Sequence, residues 1–478
     1  VNIRKPLVTL IAVTVTLAGL SWRGRTQAEP SPAPAPAHGS DVDAEAVEKL
    51  QALLRVDTTN PPGNEAAAAH LIAGWLRADG IEPTLYEAAP GRVNLVARLK
   101  GTGNKKPLLL LNHIDVVLAE PDRWTHPPFA GAIADGALWG RGALDMKGLG
   151  IMELMAFLDL KRRGAVLDRD VIFCAVADEE AGGYDGAKWM VEHHPEAVAC
   201  GELLNEGGAG MVMANGAAVM GIQTAERGNL WVRVIAKGKP GHGSQERPDA
   251  PTRRLIRALA RLEQAPRPLE MRPQVRSLLQ TLASTETGLR RLVMQNLDQG
   301  WLLGLLGPRL IREQPQLGQM LGSTINTTVL KAGSKVNVIP GEAAAEIDIR
   351  MLPGHTIDGT LAELKQALGD TELTYEVLDA KVGSETPPDG ELFAALKVAC
   401  QQEYPQALVT EILTPGGMTD STFFRQRGMK AYGLMPAILS AEQLASMHGD
   451  DERITLEQLT RGTRVVKEAV RRMVTKGP

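Results

Sequence analysis

The stretch Leu108-Leu109-Leu110-Leu111-Asn112-His113-Ile114-Asp115 decides how the rest of the chain is read. A short unbroken apolar run predicts a strand buried on both faces. This one delivers a His-x-Asp motif where the run ends. Moving outward, Asn94 to Leu99 and Val171 to Ala177 are runs of the same kind. Val42 to Leu54, Ala66 to Leu76 and Lys147 to Arg163 carry apolar residues at helical spacing. Helices alternating with buried strands predict an α/β layer with a largely parallel sheet.

The pattern changes near Gly221. Leu230 to Lys237, Thr324 to Leu330, Ala343 to Ile349 and Leu373 to Leu378 alternate like half-exposed strands. Pro251 to Glu263 and Ile357 to Leu368 read as helices, and the Leu- and Arg-rich stretch to about Leu321 reads as irregular. From about Leu392 helix and strand alternate again, with a late apolar strand at Ala431 to Met435. The expected organisation is a catalytic domain in two pieces, 41–220 and 385–478, around an inserted domain, 221–384. A chain of 478 residues has room for two cores.

Five acidic or histidine-bearing motifs punctuate this frame: His113-Ile114-Asp115, Gly142-Ala143-Leu144-Asp145-Met146-Lys147-Gly148, Asp178-Glu179-Glu180, Asn205-Glu206-Gly207-Gly208 and Met447-His448-Gly449-Asp450. Singly, each has an ordinary reading as a turn pair, a solvated strand end or a loop. Together, the first, third and fourth sit where strands run out, at the end of a parallel sheet that faces its binding crevice. Like charges converging at about 4 Å repel by several kcal/mol at an effective dielectric near 20. A divalent cation removes that conflict, and two His with several carboxylates suit zinc.

These motifs, in this order, resemble the dinuclear zinc metallopeptidase family of glutamate carboxypeptidase, succinyl-diaminopimelate desuccinylase, acetylornithine deacetylase and aminoacylase. The resemblance runs from about Asp41 to the C-terminus. It implies a zinc-dependent exopeptidase-type catalytic domain with a mostly parallel central sheet, plus an inserted α+β lid or dimerisation domain. It implies two Zn2+ per chain, with Co2+ or Mn2+ as substitutes: His113 and Glu206 on one, Glu180 and His448 on the other, Asp145 bridging. Asp115 would orient His113, and Glu179 would be the general base. In the inserted domain, Gly241-His242-Gly243-Ser244 matches the loop whose histidine, His242, stabilises the oxyanion. Asn337 and Arg350 match the segment that reads a substrate carboxylate, a task suited to a planar guanidinium. Gly417 and Thr419 lie in the Gly-Gly-Met-Thr-Asp stretch that resembles a substrate loop; Asp420 reads either with it or as a helix cap. Glu rather than Asp at position 206 resembles the carboxypeptidase and deacylase members more than the aminopeptidases.

The function implied is hydrolysis of an amide or peptide bond beside a free carboxylate, in a small peptide or an N-acyl-amino acid. A metal-dependent aminopeptidase or dipeptidase, and a non-catalytic peptide-binding protein on the same fold, are the competing classes. The long segment 266–321 and the Trp124-Thr125-His126-Pro127-Pro128-Phe129 motif resemble the carboxypeptidase S-like branch. There Trp301, Leu302, Leu303, Leu305 and Leu306 read either as a pocket for a hydrophobic acyl or side chain, or as a buried lid helix. A homodimer through the lid domain is also expected. A formal net charge of −4 and 4% aromatics give no basic face or stacking platform for nucleic acid.

At the N-terminus, Arg4 and Lys5 precede the apolar run Leu7 to Leu20, and Thr26-Gln27-Ala28 offers small residues for cleavage. Residues 1–28 therefore read as a signal peptide, or as an uncleaved membrane anchor, and 29–40 as a Pro-rich linker. The chain is expected to be exported, periplasmic or secreted. Three cysteines make no disulfide framework; Cys174 reads as a buried apolar residue, while an oxidising compartment leaves a Cys200–Cys400 bridge open.

Overall fold

A computed structural model describes residues 41–213, 215–313 and 315–475. The expected signal peptide and linker, 1–40, lie outside the described residues, as do the questions of cleavage and anchoring.

The run 108–113 is the strand Leu108–His113, buried along its whole length. It pairs in parallel with Val171–Val176 on one side and Glu202–Val212 on the other. Glu202–Val212 in turn pairs in parallel with Lys430–Leu439. Antiparallel pairs flank this centre: Thr84–Ala89 and Arg92–Leu99 form a hairpin that joins Val171–Val176, and Ala218–Glu226 pairs antiparallel with Glu202–Val212 and in parallel with the outer strand Leu408–Thr414. The nine-stranded sheet is thus mixed around a parallel centre. Alternation explains the uniform apolarity of its central strands. Leu108 and Leu110 face a core formed with the helices Asp41–Leu54, Glu65–Ala78, Lys147–Arg162 and Leu456–Val474; Leu109 and Leu111 face a second core with Ala187–His193 and Phe424. Each such leucine contributes about 1.5–3 kcal/mol by burial.

The inserted domain is a four-stranded antiparallel sheet in the order Thr324–Ala332, Glu342–Met351, Gly228–Lys237, Thr374–Lys381. Its inner face packs Leu230, Val232 and Val234 against the helices Pro251–Gln264 and Ile357–Leu368. Its start lies later than expected. Ala218–Glu226 runs through position 221 and stays in the large sheet, so the chain changes sheets at Arg227. Gly221 is not a breaker but a point of close approach: a Cβ there would lie 2.8 Å from Ile412, and one on Gly208 would lie 2.1 Å from the Gly221 carbonyl.

The segment expected to be irregular is helical, over Pro273–Ala283, Gly288–Asn296, Gly300–Glu313 and Pro315–Leu321. Pro or Gly opens each piece, which left every apolar period too short to read across. Val275, Leu279, Leu303 and Leu310 pack with Leu413 and Leu352. The helices thereby cover the outer strand Leu408–Thr414, which otherwise ends the large sheet. Of the stretch Trp301 to Leu306, which lies in a helix, Leu303 is buried and Leu302 and Leu306 pack partly against the same core, as a lid helix requires, whereas Trp301 and Leu305 are 71% and 68% exposed.

All three cysteines are free and buried. Cys174 and Cys200 lie in the core on one face of the sheet and Cys400 in the core on the other, so the Cys200–Cys400 bridge does not form.

Candidate metal centre

The parallel centre of the sheet ends in a cluster of opposed charges. His113 closes its strand opposite Val176. Its Nδ1 lies 3.0 Å from the Asp115 carbonyl oxygen, which turns Nε2 toward Asp145 Oδ1 at 3.2 Å and Glu206 Oε1 at 3.5 Å. The other oxygen of Asp145, Oδ2, lies 3.0 Å from His448 Nε2, which is 3.2 Å from Glu180 Oε2. Asp145 therefore faces two lobes, His113–Glu206 and His448–Glu180. Glu179 joins the first lobe, its carboxylate within 4.8 Å of His113 and Glu206 ligand atoms.

Electrostatics show the strain of this packing. Burial alone would lower the His113 pKa, but hydrogen bonds to Asp115, Asp145 and Glu206 carry it well above the usual imidazole range. Asp145 and Glu180 push His448 up to about 10. Burial pushes Glu206 up to about 7, and drives Glu179, crowded by Glu206, well above the carboxylate range. The donor set fits a divalent ion: a tetrahedron with bonds of about 2.0–2.1 Å has edges of about 3.3 Å, and the four N···O separations span 3.0–3.5 Å. Glu180 Oε1 is buried with no hydrogen-bond partner, a ligand oxygen in waiting.

Local structure aims these groups. Asp178 adopts the left-handed conformation (φ 70°) and turns the chain from its strand into the short helix Glu179–Ala181. Asp115, fully buried, accepts hydrogen bonds from the backbone N–H of Glu179 and of Glu180, both at 3.1 Å. Its carboxylate thus holds the Glu179–Glu180 turn as much as it orients His113, from which it lies 3.5 Å away. Glu206 does not sit where a strand runs out, nor in a turn. It lies inside Glu202–Val212, where Gly207 (φ 127°) and Gly208 form a bulge against Gly433–Met435. Bulges re-aim side chains beside sites, and this one frees Glu206 from the ladder.

Sequence reasoning missed Glu452. It is fully buried and accepts from the N–H groups of Gly142, Leu144 and Asp145 at 3.0, 2.8 and 3.0 Å and from Arg141 at 2.7 Å. Arg141 also donates to the Gly449 carbonyl at 2.6 Å, so one ion pair binds the Asp145 loop to the His448 loop. Its only sequence signal was an acid shortly after Met447-His448-Gly449.

The remaining expected residues are not all gathered here. Thr419 donates its N–H to Glu226, and Gly417 borders open space. Asp420 precedes the helix Ser421–Arg425 without a side-chain cap bond, so the capping role fails. It is instead buried beside Gly183, with Oδ2 unpartnered, and burial pushes its carboxyl well up. His242 and Asn337 come together in the inserted domain: Gly241–His242 pairs with Val338–Ile339, and Gly243 donates to the Asn337 carbonyl at 2.8 Å. His242 is exposed and hydrogen-bonds Ser244 at 2.8 Å. Arg350 pairs with Asp348 at 2.9 Å over the Trp231 ring. Among the described residues no hydrogen bond or ion pair joins His242, Asn337 or Arg350 to the two lobes.

A two-domain α/β fold with a His/Asp/Glu cluster at the end of its parallel strands defines a metallohydrolase class. The profile of Peptidase family M20/M25/M40 matches residues 109–472, and the chain belongs to that family of metal-dependent peptidases and hydrolases. It is 29% identical over 381 residues to a probable carboxypeptidase S-like 2 of Dictyostelium discoideum, covering 76% of this chain and 71% of that one. To aminoacylase-1 of Sus scrofa it is 28% identical over 433 residues, 89% of this chain and 94% of that one. In fold it is similar to the M20 family metallo-carboxypeptidase Sso-CP2 of Sulfolobus solfataricus, with a TM-score of 0.68 at 18% identity over 90% of this chain and 99% of that chain.

Proposed function

We propose that the chain is a dinuclear zinc hydrolase that cleaves an amide or peptide bond beside a free carboxylate, as a carboxypeptidase or N-acyl-amino-acid amidohydrolase. The observation that carries this reading is the division of Asp145 between two lobes, each with one imidazole and one further carboxylate. His113 and Glu206 would hold one zinc, His448 and Glu180 the other, and Asp145 both; Co2+ and Mn2+ have compatible ligand preferences. Bound there, the cations supply Lewis acidity, bringing the pKa of water toward neutrality and polarising a carbonyl.

The side chains do the rest. The Glu179 carboxylate accepts the proton of the attacking water and hands it to the leaving nitrogen. Its place in the His113–Glu206 lobe supports that role. Asp115 keeps the Glu179–Glu180 turn still while charge moves. Arg350 binds the substrate carboxylate with Asn337, His242 donates to the developing oxyanion, and Gly417 and Thr419 line the path to the bond. Closure of the inserted domain over the cluster brings His242 and Asn337 to the substrate.

The reading extends to export through residues 1–28, with a substrate met outside the cytoplasm, and to a homodimer through the inserted domain. The uncovered outer strand Thr324–Ala332 supports the dimer, since open edges invite pairing. Light scattering on the purified protein tests it, and mass spectrometry of the mature N-terminus tests cleavage after Ala28.

The deciding experiment is a panel of N-acyl-amino acids, their α-carboxamides and dipeptides, assayed before and after chelation and after zinc readdition. Turnover of carboxylate-bearing substrates that vanishes with chelation and returns at two zinc per chain is expected. Full activity in metal-stripped protein, or preference for the carboxamides, would reject the reading.

A further inference from the structure

Two consecutive residues, Glu226 and Arg227, stand where the chain leaves the large sheet for the small one, and neither has a part in the chemistry above. They grip opposite ends of one loop. Glu226, fully buried, accepts from the Thr419 N–H and from Arg425, and from Ser384 at 3.4 Å. Arg227, 2% exposed, turns the other way. Its Nη1 donates to the Pro415 carbonyl at 3.2 Å, and its Nη2 to Thr324 Oγ1 at 2.9 Å and the Arg350 carbonyl at 2.7 Å. Thr324 and Arg350 are register partners in the inserted sheet. One planar guanidinium therefore spans the glycine loop of the catalytic domain and the strand pair that carries Arg350.

We propose that Arg227 is a positioning residue for substrate recognition, locking the Arg350 strand to the Pro415–Asp420 loop so that both meet the substrate in one geometry. The inference rests on the reading of Arg350 as the carboxylate reader. The fork matters because its three acceptors lie on separate segments, and an ammonium, a point charge on a flexible stem, does not reproduce a rigid planar array. Burial of this cation beside a second one also has a cost: burial, then Arg350, bring the Arg227 pKa down to about 10. Among the described residues no carboxylate forms an ion pair with Arg227, and Asp348, the ion-pair partner of Arg350, offsets only part of that cost.

Arg227→Met, Arg227→Lys, Thr324→Val and Arg350→Ala are compared with the parent on the best N-acyl-amino acid of the panel and on its α-carboxamide. For Arg227→Met the KM for the acid is expected to rise about tenfold or more, equivalent to 1.4 kcal/mol, with kcat within about threefold and the carboxamide KM unchanged. Arg227→Lys restores little of this, because charge without the fork does not lock the segments. Thr324→Val, which removes one acceptor at a partly exposed position, raises the acid KM a few-fold and covers the case in which the Arg227 variants fail to fold. Parental KM in the Arg227 and Thr324 variants, equal losses on acid and carboxamide, or full rescue by Arg227→Lys overturns the proposal. A parent indifferent to the carboxylate, with Arg350→Ala also at parental KM, overturns the functional reading and this inference together. Failure of the Arg227 and Thr324 variants alone, with Arg350→Ala behaving as expected, overturns only the inference.

Discussion

The two halves of the site are built to opposite standards of rigidity. In the catalytic domain, His113 and Glu206 stand at the end and the bulge of buried strands, Glu179 and Glu180 on the turn that follows one, and Asp145 on the loop before the helix Lys147–Arg162, and Asp115 and Glu452 hold those loops by direct backbone hydrogen bonds. In the inserted domain, His242 sits on a two-residue strand, is exposed, and has Ser244 as its side-chain partner. The difference teaches where the chemistry demands order before substrate arrives. Carboxylates and imidazoles that share a cation must be fixed within tenths of an ångström against mutual repulsion. Groups that touch the substrate only after closure need a path to it, not a fixed place.

That contrast can be broken at its strongest point first. Glu179→Ala is expected to lower kcat by about 10³-fold or more, within the span attributed to general acid–base groups, while metal content measured by elemental analysis stays at the parental level. Activity within tenfold of the parent would remove Glu179 as base. On the exposed side, His242→Ala should lower kcat about 10²-fold, the effect of losing one oxyanion donor, again with metal content intact. If His242→Ala instead lost metal, the two halves would not be separable in the way described.

Glu452→Gln sharpens the rigid side. Partners behind the ligands typically govern metal affinity by about 10–100-fold, so titration with a chelator should show weaker binding in that range, with kcat recovered at saturating zinc. Unaltered affinity would mean that the Asp145 loop holds its shape without the buried acid. The smallest effect is expected on the outer face of Gly300–Glu313, where Trp301→Ser with Leu305→Ser should change unfolding free energy by under about 0.5 kcal/mol per site. An increased KM for long-chain acyl substrates in that variant would favour the hydrophobic-pocket reading of this stretch over a purely structural lid helix.

Much of this was legible before the fold. Short apolar runs located the central strands, and three motifs placed after them, together with those of Asp145 and His448, named every member of the two lobes. What misled was local similarity. Gly207-Gly208 has the composition of a turn but serves as a bulge inside a strand, and Gly221 has the look of a boundary but is a place where Ile412 approaches the backbone. The helices from Pro273 to Leu321 escaped because each is punctuated by Pro or Gly before its period repeats.

From the sequence alone came the strand identities, the residue types of the acidic and histidine cluster and the order in which they occur, because periodicity and side-chain chemistry are properties of neighbours along the chain. Tertiary structure alone decided that Asp145 faces two imidazoles from residues far apart, that Glu452 ties their loops, and that Arg227 bridges two domains. These depend on which backbone amides and carbonyls come to lie side by side, and a backbone group carries no mark of its partner in the sequence.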